Sequence, residues 1–322
     1  MAHMSAKQNV LLLQKNFLYG KISYILIGGK SMEHSFEQTL KSLEDSATFD
    51  ESKIDFTEST MSKKIVAIGG GENGRLRSNG TRYPYELANQ DQEIIRLTGK
   101  KHPNFLMLAH AQPIEIQTSY FQVMVDIYEK LYGCSCRLLK SDELNNTAYV
   151  KGLVDWADII YEGGGNTLDM IKLWKDTGFD MILRDAWLSG KVMCGVSAGA
   201  NCWFRECSSD SLKIKYGDDQ PLIRVECLGL VDGLFVPHCD EQGRLESVKE
   251  LLKESTQIGL CMSNCTALEI IDDEYRLITS DASNYGIEPY GLKSYWKNGS
   301  YIEEKLDISL KFKPLKDLLS KK

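Results

Sequence analysis

The stretch Val192-Met193-Cys194-Gly195-Val196-Ser197-Ala198-Gly199-Ala200-Asn201 decides how the rest of the chain is read. A buried apolar strand runs into a turn of small residues that carries one hydroxyl. That is the sequence form of a nucleophile elbow, G-x-S-x-G, in which a serine sits on a strained strand-to-helix turn with its Oγ exposed. Glycine is expected at 195 and 199 because side chains there would collide with the facing strand and helix. Ala198 opens the following helix, where its N–H can point at a developing oxyanion. The same pentapeptide fits an ordinary Gly/Ser-rich strand-to-helix turn, so the surrounding sequence has to separate the two readings.

Upstream of the elbow, apolar runs alternate with amphipathic segments, the pattern of βαβ units and a parallel sheet. Strands are expected over 65–68, 105–109, 137–139, 159–161 and 192–196. Helices are expected over 85–97, 119–131, 150–156 and 167–174, with a further one ending at Leu188. The fold class is therefore α/β: a doubly wound, mostly parallel sheet with helices on both faces. Ligands in such sheets bind at the carboxyl ends of the strands. Three glycine-rich turns, at Gly69, Gly163 and Gly195, fall at those ends. Beyond the site, strands over 268–271, 275–278 and 290–296 read as a small antiparallel extension at one edge. Such edges pair between subunits, and a homodimer is the expected assembly.

Composition narrows the class further. The chain has 322 residues, 43% hydrophobic and 26% charged, which is globular material with ample length for a large core. A net charge of -7 argues against nucleic acid or an anionic membrane as partner, since both need a basic face. Nine cysteines with no C-x-x-C pair read as reduced core thiols of a cytoplasmic protein. Residues 1–4 read as a cloning remnant. The apolar stretch over 10–29 is interrupted by Lys15 and Lys21 and lacks a small-residue cleavage site, so it supports neither a membrane span nor a secretory signal. A short strand over 23–27 and a helix over 33–43 are expected, followed by a polar linker. The compact domain is expected over 61–322, with residues 1–60 an extension.

Downstream of Ser197 there is one histidine, His238, delivered by the apolar run Leu234-Phe235-Val236-Pro237. A rigid element that ends in an imidazole suits a general base. An acid must orient that ring. The acids between serine and histidine are Glu206, Asp210, Asp218, Asp219, Glu226 and Asp232. Asp219, in the turn-like Asp218-Asp219-Gln220-Pro221, is the first choice and Asp218 its close rival. No carboxylate, cysteine or histidine cluster has ligand spacing, so neither a metal nor a cofactor is expected.

The elbow, preceded by Tyr161-Glu162-Gly163-Gly164-Gly165-Asn166-Thr167-Leu168 and followed by Val236-Pro237-His238, resembles peptidase E, the S51 family of serine peptidases that includes cyanophycinase. The likeness runs from about Lys63 to about Asp273. It implies a fold like that of class I glutamine amidotransferases, flavodoxin-like in its layers. It also implies hydrolysis of short acidic peptides, notably dipeptides with an N-terminal aspartate. By the same resemblance Ser197 is the nucleophile, His238 the base and Asp219 the acid before a residue-Pro step. The glycine turn then supplies a second oxyanion donor on Gly164 or Gly165 beside Ala198, with Asn166 a substrate contact. No lysine follows the turn in the P-loop position, which disfavours phosphate.

One departure bears on substrate. This chain reads Met262-Ser263-Asn264-Cys265 where relatives often place an acid near 263 or 264. If that acid holds a substrate ammonium group, the preference here differs. An acidic substrate side chain would want a guanidinium, for which Arg244 is best placed, followed by Arg75, Arg77 and Arg82. The rival functions are an α/β-hydrolase-type esterase, which would need a histidine near the chain end and an upstream His-Gly loop, and a non-catalytic small-molecule-binding protein on the same scaffold.

Overall fold

The computed structural model describes residues 62–77 and 79–321; the expected extension over 1–60, with its strand and helix, lies outside the described residues. Strands that are largely apolar on both faces need cover on both. β1 (Lys64–Ile68), β2 (Asn104–Met107), β4 (Ile159–Glu162) and β5 (Val192–Val196) are of this kind and almost wholly buried, while β3 (Ser135–Leu138) is half exposed. They pair in parallel in the order β1-β5-β4-β2-β3. Alternate residues go to opposite faces. Ile65, Ala67, Leu106, Ile160 and Met193 join one core, and Val66, Ile68, Phe105, Met107, Tyr161 and Cys194 join another.

Helices seal both faces. α1 (Ala88–Arg96) and α2 (Ile114–Met124), which continues as π-helix over Val125–Leu131, cover the second core with Ile94, Ile95, Met124 and Tyr128. α3 (Thr147–Trp156), α4 (Thr167–Thr177) and α5 (Phe179–Leu188) cover the first with Val150, Trp174, Phe179 and Leu183. Fully burying each such large side chain stabilises the fold by roughly 1.5–3 kcal/mol. α2 begins earlier than its apolar spacing predicts because Pro113 takes the position before its first turn, where no N–H is needed.

After the short α6 (Ala198–Asn201), the chain leaves this sheet. It forms β6 (Phe204–Ser209), α7 (Ser211–Tyr216), β7 (Ile223–Glu226), β8 (Val231–Val236), α8 (Arg244–Leu251) and β9 (Gly259–Met262). The remaining elements are β10 (Thr266–Ile271), β11 (Glu274–Thr279), β12 (Gly291–Lys297), β13 (Ser300–Lys305), β14 (Lys313–Pro314) and α9 (Leu315–Leu318). The described residues thus form two sheets. An eight-stranded one runs β14-β11-β10-β1-β5-β4-β2-β3, and a six-stranded one runs β13-β12-β9-β8-β6-β7. The antiparallel extension is divided between them: β10 pairs with β1, while β12 pairs with β9. Phe204, Phe235 and Leu260 of the second sheet pack into the core beside Trp174 and Trp203, and α8 covers its other face through Val248.

All nine cysteines are unpaired. Burial pushes the Cys194 and Cys202 thiols well above their usual range, so they behave as core hydrophobes. No helix among the described residues is long and apolar enough to cross a membrane.

Candidate active site

Ser197 occupies the elbow with φ 57° and ψ −112°, a backbone conformation that costs a non-glycine residue of order 1–3 kcal/mol. The flanking glycines make that conformation possible. A Cβ on Gly195 would lie 2.3 Å from the Glu162 carbonyl oxygen, and one on Gly199 only 2.0 Å from the same atom. The elbow is therefore pressed against the end of β4. Ala198 is the first residue of α6, so its N–H has no intrahelical acceptor.

The residues that follow β1 hold three strand ends together. The carbonyls of Ile68, Gly69 and Gly70 accept, in order, the N–H groups of Ser197 at 3.0 Å, His238 at 3.1 Å and Cys265 at 2.8 Å. All three donors have positive φ: 57°, 51° and 60°. Ser197 follows β5 of the central sheet, whereas His238 follows β8 and Cys265 follows β9 in the second. The site thus lies on the seam between the sheets, and strained backbone gathers there.

His238 is half-buried, and its Nδ1 lies 2.8 Å from Asn264 Oδ1. Asn264 is buried and tied to Asp240 twice, its N–H donating to Oδ1 at 2.7 Å and its Nδ2 to Oδ2 at 2.9 Å. Glu241 Oε1 stands 3.5 Å from the same ring nitrogen. The structure does not bring Asp219 to the imidazole. Asp218 and Asp219 are exposed in the turn after α7, with Asp219 Oδ1 folded beside Gly217. The side chains against Nδ1 come from positions after the histidine, outside the interval between Ser197 and His238 that the triad order predicts for the acid. The departure at 264 thus places an asparagine against the His238 ring.

The glycine turn also reaches the elbow, and its glycines differ in what they face. A Cβ on Gly164 would lie 3.5 Å from Ser197 Cβ and 3.9 Å from its Oγ. Gly165, with φ 144°, packs against the Ala111 carbonyl instead. The Gly164 N–H donates to the Tyr120 hydroxyl at 3.3 Å, and burial pushes that phenol up to about 12. Asn166 accepts the Asp169 N–H and donates to the Asp169 carboxylate, so its side chain is engaged in capping α4. Beneath the turn, Glu162 is fully buried. Its carboxyl oxygens accept N–H groups from His110, Ala111 and Gly163 and so knit the loops after β2 and β4. Burial pushes this acid up to about 8, against the opposing pull of those three bonds.

Arg244, the first residue of α8, is 6% exposed. Its Nη2 donates to Asp210 at 2.8 Å, its Nε lies 3.7 Å from Glu241, and its Nη1 is buried without a partner. The other candidate arginines are engaged elsewhere. Arg75 pairs with Glu72 and lies over the Tyr83 ring, Arg77 lies over the same ring, and Arg82 pairs with Asp126.

The profile of peptidase family S51 matches residues 75–278, a span that takes in the elbow, the glycine turn, His238 and Asn264. The chain belongs to this family. It is 31% identical over 232 residues to the uncharacterized peptidase YgaJ of Bacillus subtilis (strain 168), covering 71% of this chain and 91% of that protein. The crystal structure of a peptidase from an acI-B1 actinobacterium superimposes with a TM-score of 0.58 at 19% identity, covering 80% of this chain and 99% of that one. That likeness is one of fold. Membership of family S51 makes the chain a peptidase E-like hydrolase, on the α/β scaffold that its sequence implied.

Proposed function

We propose that this family S51 chain is a serine peptidase that cleaves short peptides through an acyl-enzyme. The observation that carries the reading is the suspension of Ser197 and His238 from adjacent carbonyls, both at positive φ, with Gly164 against the serine. With Nδ1 turned to Asn264, Nε2 is the ring atom left to act on the serine. His238 takes the Ser197 proton as Oγ attacks the peptide carbonyl, then returns it to the leaving amine. Water attacks the resulting ester with the same base, releasing the acid and restoring the serine.

The Ala198 and Gly164 N–H groups would receive the oxyanion, an effect worth about 3 kcal/mol per donor in comparable enzymes. Gly164 donates to a neutral phenol oxygen in the free protein. A developing oxyanion displaces that contact, because a charge-assisted bond is roughly twice as strong. For substrate we propose a peptide with an acidic residue beside the scissile bond, its carboxylate taken by the free Nη1 of Arg244. Incubation with a fluorophosphonate followed by peptide mapping should place the adduct on Ser197. No adduct on folded protein would leave the non-catalytic binding reading. A panel of aminoacyl dipeptides then tests the substrate: cleavage of Asp-X first is expected, and failure of every acidic dipeptide removes the Arg244 assignment.

A further inference from the structure

We propose that Asp240 is a positioning residue that acts through Asn264 to set the His238 tautomer and to balance the charge that forms on the ring. The proposal rests on the serine-peptidase reading above. A carboxylate can only accept hydrogen bonds, and Asp240 uses both oxygens on one residue, at 2.7 Å to the Asn264 backbone N–H and 2.9 Å to its Nδ2. The amide nitrogen must therefore face Asp240. The amide oxygen must then face His238, 2.8 Å from Nδ1. An amide oxygen also only accepts, so Nδ1 carries the proton and Nε2 keeps the lone pair a general base needs.

Without the clamp, an asparagine at this position could turn its amide over. The reversed amide would offer an N–H to Nδ1, move the ring proton to Nε2 and leave no base. Charge follows the same route. Asn264 is neutral, and both hydrogen bonds of the Asp240 carboxylate run to it. The Asp240 charge is thus left for the imidazolium. The other ionisable groups facing this cluster are few. Glu241 lies beside Nδ1 but is half exposed and shared with Arg244, which Asp210 also holds. Cys239, Cys265 and Tyr290 are neighbours kept protonated chiefly by burial. Gly70 lets the cluster close: a Cβ there would lie 2.1 Å from Asn264 Oδ1 and 2.3 Å from His238 Nδ1.

The test needs no substrate. The rate of fluorophosphonate labelling at Ser197 is measured from pH 5 to 10 on the full chain, its Asp240→Asn variant and the double variant Asp240→Asn with Asn264→Asp. The single variant sets two amide NH₂ groups against each other and should label roughly 10²- to 10⁴-fold more slowly, the range of a wrong tautomer. The double variant exchanges carboxylate and amide while keeping every bond complementary. It should recover to within about tenfold of the original, with its pH midpoint moved upward by the carboxylate now in contact with the ring. Histidine ¹⁵N shifts of the unsubstituted protein should show the neutral ring protonated at Nδ1, a readout that survives misfolding of any variant. A single variant that labels at the original rate and pH midpoint, a folded double variant that does not recover, or a ring protonated at Nε2 would overturn the proposal. Failure of the unsubstituted chain to label strikes the serine-peptidase reading, and this proposal falls with it.

Discussion

The two sheets that meet at the site present their residues by different means. The central sheet holds Ser197 by steric pressure, with Gly195 and Gly199 packed onto one backbone oxygen of Glu162 and Gly164 closing over the serine. The second sheet holds His238 by a polar clamp, from Asp240 through Asn264 to the ring. Rigid backbone contact tolerates no added atom, whereas a clamp of side chains can shift and still fold. Atoms added on the first side should therefore appear as lost stability, and atoms added at the clamp as lost rate.

Substitutions can break that contrast or sharpen it. The largest effect is expected for Ser197→Ala, which should end fluorophosphonate labelling and lower peptide hydrolysis by about 10⁶-fold while leaving the melting temperature in place. Next is Gly70→Ala, whose Cβ first meets the side-chain ends of His238 and Asn264. The protein should fold, and labelling should slow roughly 10²-fold from a misplaced imidazole. Gly199→Ala meets backbone instead and should destabilise the fold by about 1–3 kcal/mol or more, read from thermal or denaturant unfolding. If Gly70→Ala unfolds the protein and Gly199→Ala merely slows it, the contrast between the sheets is wrong.

Glu162 supplies a smaller, pH-dependent effect. Its folded value of about 8 lies above the roughly 4.3 of an unfolded glutamate. Across that window the native state keeps a proton the unfolded chain has lost, so this contribution is present at low pH and lost as pH rises through about 8. Glu162→Gln cannot titrate. Its stability relative to the original should improve from pH 5 to pH 9, as denaturant midpoints would show, and a constant difference would mean that Glu162 folds ionised. The smallest effect belongs to Asp219→Asn. This exposed turn residue should change stability by less than about 0.5 kcal/mol and labelling not at all.

How legible each part was follows from distance along the chain. The strand, the elbow and the need for glycine on either side of Ser197 are contiguous, because the steric demands of a tight turn act on neighbours. His238 could be found because one histidine follows the elbow. Asn264 could not be assigned its role, being 26 residues from the ring it touches and of a type that carries no charge. Asn166 shows a role that local sequence did signal. It borders the glycine turn, yet an asparagine just before a helix serves its first free N–H groups.

By itself, then, the sequence determined the α/β layering, through largely apolar strands that demand cover on both faces, and the strained turn that carries Ser197, through a geometry only small neighbours permit. It did not contain the second sheet as a separate unit, since strands in both sheets share the same apolar pattern and only pairing partners distinguish them. Tertiary structure alone decided which group hydrogen-bonds His238, which glycine faces Ser197 and that Arg244 Nη1 is buried without a partner. Each of those outcomes depends on where side chains from distant strand ends meet, and hydrogen-bond complementarity at the seam of two sheets is settled only once both sheets have formed.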